Sequence, residues 1–274
     1  MKRTVVLTTG REKDILMDVT SLQSDPIGIV IFCHGYKGYK DWGAWNLVSG
    51  EFARNGFAFV KFNFSHNGGT IEKPIDFPDL KAFGNNTYGK EVADLNSVID
   101  WSNKEYDAPI YIIGHSRGGG IVTLVAGENT NVSKVISWAA VADFKERFPV
   151  GEKLQEWKDK GVYNVLNGRT KQEMPHYYSF YEDFIENEMN LTISKAAKSI
   201  RIPHLIIHGN MDEAVSIKDA YRLRSFNPNA ELEIIIDTNH TFGSKHPWCD
   251  NFLPKALREV VDKTIYFINS SNKL

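Results

Sequence analysis

Short, continuous apolar runs alternate with stretches of helical period along most of this chain, and that alternation constrains its fold more than any other feature. Residues 28–33, 57–64, 110–113, 134–140, 204–208 and 232–236 read as strands, and residues 44–55, 91–103, 117–127, 217–225 and 254–268 read as helices. Runs that are apolar at successive positions belong to strands buried on both faces, so the pattern predicts an α/β fold with a parallel sheet covered by helices on each side. Residues 4–9 and 15–22 have no helix between them and read as an antiparallel hairpin at a sheet edge. A chain of 274 residues can build one large core in this way.

Between residues 143 and 195 the alternation stops, which marks an insertion expected to be a helical cap, with residues 1–142 and 196–274 forming the core domain. The insertion carries 9 aromatics in 53 residues, about 17% against 12% for the whole chain. Those rings suit either the wall of a pocket at the carboxyl ends of the strands or a small core of the insertion's own.

The sharpest local feature is Gly114-His115-Ser116-Arg117-Gly118-Gly119-Gly120, set between the strand at 110–113 and an apolar helix. A serine at such a strand-to-helix turn sits in a strained conformation that projects its Oγ from the sheet edge, and the flanking glycines let neighbouring backbone pass. Ser116 is therefore the candidate nucleophile. A serine hydroxyl needs a base, normally an imidazole held by a carboxylate. His240 follows the strand at 232–236 and Asp212 follows the strand at 204–208, so Ser116, Asp212 and His240 all fall at carboxyl ends of strands and can converge. Asp143 is the alternative carboxylate. Glu213, Asp237 and His246 read as loop or surface neighbours, and His204 and His208 as structural histidines flanking an apolar strand.

An oxyanion hole needs two backbone N–H groups, and the loop His34-Gly35-Tyr36-Lys37-Gly38 supplies the Tyr36 amide to pair with that of Arg117. His34 reads as shaping that loop. Arg117 and Lys37 suit attraction of a substrate carboxylate and equally suit charge beside the mouth of a site.

Several classes are disfavoured. A net charge of −2 gives no field for nucleic acid or an anionic membrane. No apolar run approaches the roughly 18 residues of a membrane span. The basic start at Met1 reaches Arg11-Glu12-Lys13-Asp14 before any leader-like apolar region, and Cys33 and Cys249 make no disulfide framework, so a reducing cytoplasm is expected. The histidines show no zinc-type spacing, and no metal or cofactor is expected.

Taken together, His34-Gly35-Tyr36-Lys37-Gly38, Gly114-His115-Ser116-Arg117-Gly118-Gly119, His208-Gly209-Asn210-Met211-Asp212 with Val215, and Asn239-His240-Thr241-Phe242 resemble the α/β-hydrolase superfamily over essentially the whole chain. The likeness is greatest to small acyl-ester hydrolases of the feruloyl- and cinnamoyl-esterase-like and dienelactone-hydrolase-like groups. That resemblance implies a mostly parallel sheet of about eight strands, the same Ser116, Asp212 and His240 triad, and a carboxylesterase acting on small-molecule acyl esters. Aspartate-nucleophile dehalogenases and epoxide hydrolases, and the cysteine-nucleophile dienelactone hydrolases, differ at position 116. One segment departs from the related esterases: Phe62-Asn63-Phe64-Ser65-His66-Asn67-Gly68-Gly69 stands where an Asp and a Gly-rich stretch are usual. A peptidase or thioesterase using the same triad, and a hydrolase-fold protein that binds a ligand without turnover, are the alternative expectations.

Overall fold

The computed structural model describes residues 1–270. In chain order its principal elements are β1 (Lys2–Leu7), β2 (Ile15–Thr20), β3 (Ile29–Cys33), α1 (Trp45–Arg54), β4 (Ala58–Phe62), α2 (Leu80–Gly84), α3 (Tyr88–Glu105), β5 (Ile110–His115), α4 (Arg117–Ala126) and β6 (Val132–Trp138). They continue with α5 (Glu152–Lys160), β7 (Val162–Leu166), β8 (Glu173–Tyr177), α6 (Ser179–Glu186), α7 (Ile193–Ser199), β9 (His204–Gly209), α8 (Ile217–Phe226), β10 (Glu231–Ile235) and α9 (Lys255–Asn269). None of the described helices is long and apolar enough to cross a membrane.

Eight strands form one sheet in the order β1-β2-β4-β3-β5-β6-β9-β10. The edge hairpin is antiparallel, with Val5 opposite Met17, and β2 also runs antiparallel to β4. Every pairing from β4 to β10 is parallel. Strand alternation sends Ile29, Ile31 and Cys33 to one face, where they pack with Leu95 and Val98 of α3 and Ile121 of α4. Val30 and Phe32 go to the other face, onto Val48 and Phe52 of α1 and Leu257 and Val261 of α9. Burial on both faces is why the central strands read as unbroken apolar runs.

Near the antiparallel edge, Asp18 of β2 lies opposite Lys61 of β4, and its Oδ2 receives Lys40 Nζ at 2.6 Å and Lys61 Nζ at 3.0 Å. Lys61 also bonds Asp41. Asp18, Lys40 and Lys61 are buried and paired, with Asp41 partly buried beside them, the condition under which buried ions are tolerated.

The segment between β6 and β9 is not wholly helical. Its helices α5 and α6 flank an antiparallel hairpin in which Val162 faces Tyr177 and Leu166 faces Glu173. The hairpin forms because its inward side chains have an apolar and aromatic seat: Met174 is buried with Phe77 and Phe83, and the His176 ring lies 5.3 Å from Phe83 and 5.8 Å from Phe180. Phe180 in turn meets Tyr88 of the core at 4.7 Å between ring centres.

Candidate active site

The turn from β5 into α4 holds Ser116 at φ 58° and ψ −119°, a left-handed conformation that a residue with a side chain adopts only under constraint. The constraint is visible. The Ser116 amide donates to the Trp138 carbonyl at 2.9 Å, and its own carbonyl accepts from Gly119 and Val141 at 3.0 and 3.3 Å. A side chain at Gly114 would put a Cβ 2.1 Å from the Gly118 oxygen, so the turn closes only with glycine there. These bonds pin the serine to β6 as well as β5.

Asp212 lies beyond the end of β9, its side chain fully buried and its Oδ1 accepting from the amides of Ala214 and Val215 at 2.9 and 2.8 Å. Its Oδ2 lies 2.7 Å from Nδ1 of His240, which follows β10. Despite burial, the hydrogen bonds from His208 and His240, the His240 charge and the Val215 amide hold the Asp212 carboxyl well below the usual carboxylate range. No hydrogen bond joins the Ser116 hydroxyl to His240, yet both side chains border the same cavities. Nucleophile–base contacts are often long before substrate arrives.

Two histidines that sequence reasoning assigned to structure or left unassigned support this pair. His208 directs Nε2 to the Val215 carbonyl at 2.9 Å and to Asp212 Oδ2 at 3.2 Å, so it donates to the same carboxylate oxygen as His240. His115, immediately before Ser116, donates from Nε2 to the His240 carbonyl at 2.8 Å. Burial pushes the His115 pKa down to about 3 and keeps that ring neutral. The spacing of His208 to Asp212 was the available signal for the first of these.

The other candidates lie elsewhere. Asp143 caps the turn after β6 by accepting the amides of Lys145 and Glu146, and Glu213 and Asp237 are exposed. His246 accepts the Gly43 amide at 2.9 Å, and His204 is buried against Ser137 at 3.0 Å.

The loop after β3 runs against Ser116: a Cβ added at Gly35 would come 2.9 Å from Ser116 Cβ. Among the described residues neither the Tyr36 nor the Arg117 amide donates to a protein acceptor. His34 shapes this loop, Nδ1 donating to the Gly35 carbonyl at 2.9 Å and Nε2 accepting the Phe64 amide at 3.3 Å. The segment that departs from the related esterases has a place here too. Asn63 accepts the Lys40 amide at 2.7 Å and Asn67 donates to the Gly38 carbonyl at 3.2 Å, bracing the loop from below.

Ser116 and His240 stand where two unequal arms of the site meet. The wide arm, about 450 Å³, has Phe144, Phe148, Trp157 and Phe180 in its wall, so the insertion's rings serve as both its core and a pocket lining. The narrow arm, about 140 Å³, lies along Gly35, Lys37, Trp42 and Thr241.

Comparison with known proteins agrees with this architecture. Monoacylglycerol lipase of Mycolicibacterium smegmatis is 28% identical, over 74% of this chain and 76% of that protein. Est1E from Butyrivibrio proteoclasticus, a structure also solved with ferulic acid bound, superposes with a TM-score of 0.72 at 17% identity, covering 97% of this chain and 99% of its own. The thioesterase domain from the curacin biosynthetic pathway superposes with a TM-score of 0.64 at 13% identity, covering 98% and 100%. The family model described as serine aminopeptidase, S33, matches residues 24–187, more than half of the chain. The protein has the α/β-hydrolase fold and belongs to that hydrolase family.

Proposed function

We propose that the protein is a serine carboxylesterase that works through an acyl-enzyme, with residues 143–195 as the cap over its substrate. The observation that carries this reading is the 2.7 Å bond from His240 Nδ1 to the buried Asp212, beside a serine in the nucleophile conformation. Ser116 Oγ attacks the ester carbonyl while His240 Nε2 takes its proton. Asp212 fixes the imidazole tautomer and stabilises its cation. The Tyr36 and Arg117 amides receive the oxyanion, each such donor worth about 3–4 kcal/mol in the transition state. His240 then protonates the leaving alkoxide, and water, deprotonated by the same imidazole, releases the acid.

The aromatic wide arm suits a medium-length or aromatic group, in keeping with the ferulic acid bound to Est1E. The test is intact-mass analysis after fluorophosphonate treatment, with Ser116→Ala beside wild type, followed by kcat/KM for acetyl, butyryl, octanoyl and feruloyl esters. One adduct on wild type, absent from the variant, is expected. No adduct on folded wild type overturns the mechanism, and a steady preference for acetyl overturns the pocket assignment. The family's aminopeptidase description favours amide cleavage as the second reading. Amide turnover within about tenfold of ester turnover, a gap of about 1.4 kcal/mol, selects it.

A further inference from the structure

The side chain of Arg117 borders the wide arm with most of its hydrogen-bonding capacity unused. It is 15% exposed, and its guanidinium carbon lies 4.4 Å from the ring centre of Tyr36, 5.2 Å from that of Tyr88 and 5.6 Å from that of Phe180. A guanidinium carries five N–H donors in one plane and accepts nothing. Among the described residues its one side-chain hydrogen bond goes from Nη1 to Glu91 Oε1, at a long 3.3 Å. That oxygen already takes a 2.6 Å bond from Asn86.

Packed among these rings, the guanidinium still has donors free for an acceptor that enters the arm. Its remaining donors are not sealed off from the cavity, and a planar fork matches two oxygens held in one plane. The lining points the same way: among the described residues no Asp or Glu borders the wide arm, and Arg147, which also lines it, is paired with Asp219 at 2.7 Å. An anionic ligand group would meet one sign of charge there.

We propose that the Arg117 side chain receives a carboxylate carried by the acyl group, a few carbon atoms from the scissile carbonyl, so that half-esters of dicarboxylic acids are the favoured substrate class. The proposal rests on the esterase reading above, but binding tests it separately from turnover. Titration calorimetry on Ser116→Ala compares monomethyl adipate, with its free carboxylate, against neutral dimethyl adipate. The half-ester is expected to bind at least about tenfold more tightly, a margin that a charge-assisted bidentate pair provides. Adding Arg117→Gln is expected to bring the two ligands within about twofold. If the double variant does not fold, the amide analogue methyl adipamate replaces the mutation and is expected to bind like the diester.

Equal or weaker binding of the half-ester overturns the proposal, as does a preference that survives Arg117→Gln or is matched by the amide. Hydrolysis of dimethyl adipate by wild type reports on the esterase reading alone. Turnover of the diester with no preference for the half-ester in binding leaves that reading standing and removes only the role of Arg117.

Discussion

Tyr36 Oη and His176 Nε2 lie 2.7 Å apart, joining the loop after β3 to the hairpin of residues 162–177. Burial, with the charges of Arg117 and Lys37 nearby, pushes the His176 pKa down to about 3, so the ring is neutral and its Nε2 accepts the phenol proton. Trp157 of α5 donates to the His176 carbonyl at 2.8 Å. One histidine thus ties α5 and the hairpin to the loop beside Ser116. Tyr36→Phe keeps the backbone amide and leaves a buried acceptor unpaired, so it is expected to cost about 1–2 kcal/mol in urea unfolding. An unchanged midpoint would show that the contact contributes nothing to stability.

Asp212→Asn should leave the fold intact and lower kcat on an activated butyrate ester by about a thousandfold or more, because an amide in that place favours the wrong imidazole tautomer. Activity within tenfold of wild type would take Asp212 out of the orienting role.

Gly118→Ala is expected to destabilise by about 3 kcal/mol and to abolish activity. Its Cβ would fall 2.5 Å from the Cys33 oxygen and 2.6 Å from that of His34, backbone atoms at the root of the loop that carries Tyr36. Gly168→Ala, with nothing within 4 Å of the added carbon, is the control and should be neutral. Equal thermal stability of the two variants would contradict the close approach.

Acid should weaken the fold as the buried histidines are driven to charge, an effect only partly offset by Asp94, whose carboxyl burial raises to about 6. Burial lowers the pKa of His34 to about 4 and those of His115, His176 and His204 to about 3, against 6.5 for a free imidazole. Below about pH 6.5 the unfolded chain binds these protons and the folded chain does not. Stability from the four neutral rings is therefore full above that value and is lost as pH falls toward about 3, at up to about 1.4 kcal/mol per pH unit for each ring. Urea midpoints measured from neutral pH downward give the slope. A flat profile between about pH 6.5 and 5 would mean that the rings are not held neutral.

The parts of the molecule legible in the sequence are those written in local chemistry. Continuous apolar runs announced the buried strands, and the glycines around Ser116 announced the turn, because each reflects a steric demand a few residues wide. The hairpin of residues 162–177 escaped, although Asn167-Gly168 is a recognised turn pair flanked by Val162, Val165 and Leu166. Its strands have a polar or exposed side, and they owe their seat to Phe83, Trp157 and Phe180 from distant parts of the chain. His115 and His208 escaped as positioning groups for the same reason. Each acts through a contact fixed by how neighbouring strands end, which a linear reading cannot place. The start of α3 was also set too late: Thr87 accepts the Lys90 amide as its cap and draws Tyr88 into the first turn.

The unequal arms that meet at Ser116 give the cleft a sense of direction. An ester is an unsymmetrical link, and two compounds of one formula can carry their bulk on the acyl side or on the alcohol side. A space of about 450 Å³ on one hand and about 140 Å³ on the other is expected to favour one orientation of such isomers across the serine. On that expectation connectivity, more than size or greasiness, separates the two isomers.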